Sequence, residues 1–541
     1  MKTQRDLIAV ALALLSDAGD GGIGRLTAAE KKVVKGIEAC SDAALVADVR
    51  GQIQAGQDPL GEAFLVIHTA EERRGKGQIF TPTPMVDAML ARAQTEAAER
   101  GNPARIVDPG SATGRFLLQA GRLFPHAVLI GVELDPLCAL LLRANLFVAG
   151  LADRAEIKVA DFRKITLKPV AGWTLYVGNP PYVRHHDIDE AWKTWYGTTM
   201  ATLGVSGASK LAGLHLHFFA AIGLLAVPGD VGVLVTSAEW LDTGYGRALR
   251  ALLCGRLGGI SIHSIDARAH PFPGTQTTAA ITVFQVGRKV DSVRFEAVPS
   301  VDMLGSLAGG KKASVKRLGD ADRGPPPKCT VAAPAGVRSR GSLVGEWFRV
   351  SRGQVTGKNA VWIDGEDHPE VPARLKVPCV TGAEEVFDAY ERGEMPLWSL
   401  RQVIDLPKDL STLTNGERLL VERFLRWAQK MGADETYIAQ HRTPWWSVKL
   451  HPPAPIICTY MARRRPVFVR NRAGARLLNI AHGLYPRRPL TDAELDQACD
   501  AMNQAFHLGQ GRTYAGGLVK FEPRAVEAVE IPWRPDRQEA A

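Results

Sequence analysis

Apolar and polar positions divide the chain into stretches of different rhythm. Residues 1 to about 75 are rich in Ala, Leu, Glu, Lys and Arg with few aromatics, which predicts helices, the first over the apolar run Leu7–Leu15. From about 76 to 290, short β-branched runs alternate with helical stretches. The runs include Arg105-Ile-Val-Asp108, Ala127–Glu133, Trp173–Val177 and Val231–Thr236. Strand and helix alternating at this spacing predict a mostly parallel sheet covered by helices. The apolar stretch Gly213–Val227 contains His215 and His217, ends at Pro228-Gly229-Asp230, and is too short to span a bilayer. Between Ser306 and Ser342, Gly309-Gly310-Lys311-Lys312 and three prolines at 325–327 give linker composition. The rest lacks a βα rhythm, carries most of the tryptophans, and reads as a separate mixed domain. The expected partition is 1–75 helical, 76–290 α/β, 291–342 linker and 343–541 mixed α/β.

Composition narrows the classes. At 541 residues, 46% hydrophobic and 23% charged, the chain is ordinary globular material rather than a disordered or fibrous one. A formal charge of +9 permits a polyanionic partner. Seven cysteines without a C-x-x-C pair argue against a disulfide framework and a zinc cluster, so no metal site is expected and a reducing, cytoplasmic setting fits. Lys2 and Arg5 ahead of Leu7–Leu15 superficially resemble an export signal, but Asp6 interrupts them and an ordinary first helix fits better.

Candidate chemistry sits at the C-terminal ends of the strands, the ligand edge of an open α/β sheet. Asp108-Pro109-Gly110-Ser111-Ala112-Thr113-Gly114 follows the first strand and enters a helix, where glycines and unpaired N–H groups let a ligand approach closely. Glu133-Leu134-Asp135 ends the next strand and offers an acid for two ribose hydroxyls. Asp161-Phe162 adds a carboxylate for an adenine amine and an aromatic face for its ring. As a series these favour an adenosine-bearing cofactor. Asn179-Pro180-Pro181-Tyr182 follows a further strand: two prolines fix φ and donate no hydrogen bonds, so an amide oxygen, a carbonyl and an aromatic ring are presented rigidly together.

On these motifs the sequence resembles the gamma-class N6-adenine DNA methyltransferases of type II restriction–modification, over residues 76–290 by motif and 340–541 by domain order. The resemblance implies a Rossmann-like class I methyltransferase domain that uses S-adenosylmethionine, followed by a target-recognition domain. Gly77-Gln78-Ile79-Phe80-Thr81-Pro82-Thr83-Pro84 looks like the family's first cofactor motif, and Thr83 is expected to cap a helix beginning at Pro84. The resemblance places Phe80, Thr81, Pro82, Asp108 and Gly110 at the methionine part, with Gly114 in the same loop. It places Glu133, followed by Leu134, at the ribose, and Asp161 with Phe162 at adenine. Asn179 and Pro180 would accept the two N–H bonds of the target amine, Pro181 would stiffen the segment, and Tyr182 would stack on a flipped base with Phe272 as a second wall. The family often has Gly where Ala112 stands. Ala fits only at negative φ, so a lower cofactor affinity is expected.

Double-stranded DNA is the expected partner. Residues 441–490 hold ten Lys or Arg and no Asp or Glu, interleaved with Trp445, Trp446, Tyr460, Phe468 and Tyr485. Arg463, Arg464, Arg465, Arg470 and Arg472 are expected at phosphates or bases, with aromatics stacking beside them. Lys358, in Arg352-Gly-Gln-Val-Thr-Gly-Lys-Asn359, is expected in a DNA-contacting loop, and Lys311, Lys312, Lys316 and Arg317 add nonspecific attraction. The chain is expected to act as a modification enzyme at the nucleoid of a bacterial or archaeal cell, with or without a separate nuclease. The competing readings are a protein-glutamine or RNA-adenine methyltransferase and a catalytically idle DNA-binding specificity protein.

Overall fold

A computed structural model describes residues 1–19, 22–241, 243–266, 269–272, 275, 277–305, 307, 311–314, 341–513 and 518–535. The chain forms two compact units, Met1–Val331 and Ala332–Ala541.

The first unit is built on a nine-stranded sheet. Its strands are β1 (Arg105–Asp108), β2 (Val128–Glu133), β3 (Ala155–Val159), β4 (Thr174–Gly178), β5 (Val231–Thr236), β6 (Gly259–Ile265), β7 (Ala279–Gln285), β8 (Ser292–Val298) and β9 (Lys311–Ser314). They are ordered β3-β2-β1-β4-β5-β7-β6-β8-β9. β1 to β5 are parallel, and β7 runs antiparallel to both β5 and β6. Strands of this kind are buried on both faces, which explains their near-continuous apolar runs. Alternate residues serve opposite cores: Ile106, Leu175 and Val233 point to one layer, Val107, Tyr176 and Leu234 to the other. Order reverses between β1 and β4, and the crevice outside such a switch point is where ligands bind.

The helices are α1 (Gln4–Leu14), α2 (Ala28–Val33), α3 (Ala43–Gln54), α4 (Pro59–Ile67), α5 (Ala70–Gly75), α6 (Thr83–Arg100), α7 (Arg115–Leu123), α8 (Pro136–Val148), α9 (Glu190–Thr202), α10 (Leu214–Leu225) and α11 (Arg247–Cys254). Helices α6 and α7 cover one face of the sheet, α10 and α11 the other. The described residues of 1–75 are mostly helical and share the core of this unit. Leu7, Leu14, Ile53, Leu60 and Phe64 pack on Leu137, Leu141 and Val148 of α8. Arg143 of α8 also pairs with the buried Glu30 of α2, Nε to Oε1 at 2.6 Å.

Two local expectations are corrected. Thr83 is the first residue of α6 rather than its cap; Pro82 stands at the cap position and no side-chain hydrogen bond closes the end. The stretch 291–342 is not all linker, because β8 pairs parallel to β6 and β9 pairs antiparallel to β8, so the sheet runs past residue 290. Lys316, Arg317 and the prolines at 325–327 lie outside the described residues, as do the side chains of Lys311 and Lys312.

The second unit is mixed α/β. An antiparallel sheet orders strands 348–352, 481–486, 456–459 and 468–470, and a second sheet joins 401–404, 376–380 and 476–477. Helices Asn415–Lys430 and Asp492–Ala505 each open with a capping box, Thr414 with Glu417 and Thr491 with Glu494. No helix among the described residues is long and apolar enough to cross a membrane.

Candidate active site

The segment after β1 turns sharply under several fixed bonds. Ser111 Oγ donates to the Asp108 carbonyl at 2.9 Å, Ser111 N–H to the Val132 carbonyl at 3.1 Å, and Ala112 N–H to Glu133 Oε2 at 2.8 Å. Ala112 has φ +45°, contrary to the negative φ expected of it. Left-handed backbone carrying a Cβ costs about 1–2 kcal/mol and persists only where the surroundings over-determine it. Gly114 closes the turn at φ +96°, and a Cβ there would strike Leu142 Cδ1, so it is needed for packing against α8.

Beside this loop lies a cavity of about 780 Å³. Of the residues predicted to hold a cofactor, Phe80, Gly110, Glu133, Leu134, Asp161 and Phe162 line it, together with Asn179 and Pro181. Thr81, Pro82, Asp108 and Gly114 are not among the residues that line it. Thr81 is buried and its carbonyl accepts from Arg115 Nη1 at 3.2 Å. Glu133 is anchored by two backbone donors, Ala112 and Asp135, each at 2.8 Å, and burial raises its carboxyl. Leu134 is exposed at the rim. Asp108 is only 1% exposed; Gly110 N–H reaches its Oδ1 at 3.4 Å while Oδ2 has no partner. Burial, with Glu133 nearby, pushes its carboxyl up to about 8.

Asp161 is held differently from its neighbours. Burial alone would raise it, but Arg163 overrides that with Nε to Oδ1 at 2.9 Å and Nη2 to Oδ2 at 2.6 Å, keeping the carboxylate ionised. Arg163 in turn lies 3.6 Å over the Trp192 ring. The Phe162 ring is almost wholly buried against Phe218, centroids 5.3 Å apart, so it forms the cavity floor.

The tetrapeptide Asn179–Tyr182 leaves β4 on the opposite side of the switch point. Asn179 Nδ2 donates to the Ile79 carbonyl at 2.9 Å, which fixes the amide and leaves its buried Oδ1 without a partner. Tyr182 N–H donates to the Gly77 carbonyl at 3.0 Å. Gly77 has φ +66°, and a Cβ on it would lie 2.7 Å from Tyr182 N, so only glycine permits this contact. The first motif and the tetrapeptide are thereby stitched together. Phe272 meets Tyr182 edge-to-face, centroids 5.8 Å apart, at only 1% exposure. Pro273 and Gly274 beside it lie outside the described residues. Burial holds the Tyr182 hydroxyl far above its usual value, so it stays protonated.

Sequence reasoning missed several contributors: Asp58 and Arg115, which brace the loop from behind; Arg163, which holds Asp161; and Lys76, whose Nζ lies 2.7 Å from Asp135 Oδ2 at the rim. Arg115 directly follows Gly114, which was the available signal; Asp58 offered none.

The arginine-rich stretch in the second unit requires correction, because its acidic partners come from elsewhere in the chain. Arg464 pairs with Glu384 at 2.6 Å and lies over Phe387, and Arg465 donates to the Tyr390 hydroxyl at 2.9 Å. Arg470 is clamped by Asp492 and Asp496, and Arg472 shares Asp496 at 2.7 Å. Arg463 is exposed. Lys358 Nζ donates to the Met431 carbonyl. Tyr460 and Phe468 are buried and Trp445 and Trp446 pack on a core, so these rings do not stand ready to stack on bases. Among the described residues of this unit, the large exposed aromatics are Trp398, at 80%, and Tyr437.

A parallel sheet reversing between β1 and β4, with an antiparallel β7 beyond β5, a glycine-bearing turn after β1 and acids ending β2 and near β3, defines a Rossmann-like methyltransferase domain. Residues 56–254 match the N-6 DNA Methylase family model, and residues 399–541 the C-terminal domain of type II methyltransferase M.Eco57I. The chain is 46% identical to type II methyltransferase M.XamI of Xanthomonas campestris pv. amaranthicola across 98% of both chains. It is 23% identical to type II methyltransferase M.AccI of Acinetobacter calcoaceticus over 64% of this chain and 66% of that one. The solved structure of the type IIL restriction–modification enzyme MmeI in complex with DNA shares the fold, with TM-score 0.54 and 12% identity over 90% of this chain and 74% of that one. The chain belongs to the type II N6-adenine DNA methyltransferases, site-specific enzymes of restriction–modification.

Proposed function

We propose that this chain takes the methyl group from S-adenosylmethionine and places it on N6 of an adenine rotated out of duplex DNA, with Asn179–Tyr182 as the amine-binding segment. The carrying observation is the Asn179 amide, whose nitrogen is committed to Ile79 and whose buried oxygen is left as a free acceptor at the cavity wall.

The residues fit the cofactor. A cavity of about 780 Å³ is within the range for such a ligand. Glu133 and Asp161 would supply acceptors for ribose and adenine and Leu134 an apolar cover, and Asp108, next in the chain to the lining Pro109 and with its Oδ2 unpartnered, would be the counter-charge for a cationic end. When bound, S-adenosylmethionine supplies a methyl already activated by a positively charged sulfur.

The chain's own task is to raise the reactivity of the amine, whose lone pair is delocalised into the ring. Acceptance of one N–H by Asn179 Oδ1 and the other by the Pro180 carbonyl draws the nitrogen toward tetrahedral geometry and aims its lone pair. Asn179 Oδ1 and the Pro180 carbonyl would hold the amine in line with the methyl group that the donor supplies, and the proton the amine loses would pass to water. This is catalysis by orientation and fixed dipoles. Tyr182 would stack on the extruded ring, whose unstacking costs a few kcal/mol, with the buried Phe272 supporting Tyr182 edge-to-face rather than forming a second wall. The C-terminal unit would supply the duplex contact and the reading of sequence. Binding to DNA would bring the chain to the nucleoid, and its likeness to the type II methyltransferase M.XamI supports a modification role, with or without a separate nuclease as partner.

The test is modified-base sequencing of DNA from a methylation-free host expressing the chain or its Asn179→Ala variant. One modified adenine context with the parent, lost in the variant while cofactor binding is retained, is the expected result. Methylation surviving the substitution would remove Asn179 from the mechanism.

A further inference from the structure

We propose that Asp58, at the start of α4, is a positioning residue for the 110–115 loop, acting through Thr113 and Arg115, so that the N-terminal helices form part of the methyl-donor site. The inference rests on the cofactor site placed above.

Asp58 is the N-cap of α4, a role that needs one acceptor, and its Oδ1 takes the Gly61 N–H at 2.9 Å. It does far more than this. Oδ1 also accepts from Asn145 Nδ2 at 2.9 Å, and Oδ2 accepts from Thr113 Oγ1 at 2.6 Å and Arg115 Nε at 2.9 Å. Its side chain is 7% exposed. Ser or Asn would satisfy a cap, but only a carboxylate takes four donors of which one is a guanidinium.

The donors converge on one place. Asn145 also donates to the Thr113 carbonyl at 2.8 Å, so Thr113 is gripped at both its hydroxyl and its backbone. The residue before it is Ala112 at φ +45°, with its N–H fixed on Glu133. Backbone that would otherwise relax is thus held from both sides, the condition under which a strained residue persists. Arg115 carries the grip across to the first motif, since its guanidinium donates to the Thr81 carbonyl and lies 5.1 Å over the Phe80 ring. Phe80 stacks on Phe64 of α4 at 5.6 Å. One helix therefore braces two walls of the cavity. A nearly buried ion pair is weak evidence for stability alone, since apolar substitutes often serve as well or better; its value here is geometric.

Thr113→Val keeps the shape of the side chain and removes only the hydroxyl that reaches Asp58. Asp58→Asn keeps the cap and removes the charge. In both, amide hydrogen exchange at residues 111–115 of the cofactor-free chain is expected to accelerate. Calorimetric dissociation constants for S-adenosylmethionine should rise about tenfold, the worth of one hydrogen bond to a charged group. KM for the cofactor should rise with them while kcat changes little. Adding Ala112→Gly to Asp58→Asn should recover most of the affinity, because glycine adopts positive φ unaided. Wild-type exchange rates in both variants would overturn the proposal, as would a fall in kcat with unmoved KM, or losses in the double variant that simply add. Binding by the parent chain tests the cofactor site itself, and the exchange rates test the brace whatever that titration gives.

Discussion

Proton linkage at Asp108 offers a quantitative check on the cofactor site. Its carboxyl is buried, lacks a partner on Oδ2, and is pushed up to about 8 from 3.8. At pH 7 a group titrating there is about nine-tenths protonated in the cofactor-free chain. A cationic ligand end brought to Oδ2 favours the carboxylate, so binding should expel about 0.9 proton at pH 7, and affinity should rise about tenfold per pH unit below 8 before flattening. Calorimetry at pH 7 in buffers of different ionisation enthalpy reads the proton count as a slope, and Asp108→Asn should bring it close to zero. A parent slope near zero, or one that survives the asparagine, would refute the placement of this carboxylate beside the ligand's positive charge. Stability of the cofactor-free chain should follow the opposite course. The folded carboxyl binds its proton more tightly than the unfolded one, so Asp108 makes the fold progressively less stable as pH rises from about 4 to about 8.

Ala112→Gly should raise the melting temperature by about 1–2 °C, since relief of about 1–2 kcal/mol of left-handed strain exceeds the 0.5–1 kcal/mol that glycine loses in chain entropy; a lower melting temperature would mean that φ +45° is not strained here. Replacing Arg463, Arg464 and Arg465 together with Ala should weaken DNA binding and flatten its salt dependence. The loss should be about one slope unit per phosphate contact but fewer than three in all, because Arg464 already carries Glu384. An unchanged slope in titrations across salt would take this cluster off the phosphates.

What the sequence disclosed follows from how local each signal is. β2, β4 and β5 are mostly apolar runs because both their faces are buried, and β1 carries Ile106 and Val107 between two buried charged residues, so all four were legible without help. β3 was not, since it is an edge strand whose residues Ala155-Glu-Ile-Lys-Val159 are only half covered. The tetrapeptide and the strand-end acids declared themselves through residue type at the ligand edge. Long-range partnerships could not: Asp58 reaches Thr113 and Arg115 across more than fifty positions, and Arg464 finds its acid eighty residues upstream. Counting acids within 441–490 therefore misjudged the surroundings of these arginines. Tyr460 and Phe468 misled for a related reason, because an aromatic beside arginines reads alike whether it faces solvent or a core.

Helix α8 has no solvent face of its own: one flank meets the sheet layer and the other the helices of residues 4–67. Removing those N-terminal helices to obtain a smaller catalytic fragment would lay bare Leu137, Leu140, Leu141 and Val148 together, with Arg143 stripped of Glu30. A contiguous oily surface flanked by an unpaired charge drives self-association, so such a fragment should be recovered as aggregate, and any shortened form of this enzyme has to be trimmed elsewhere.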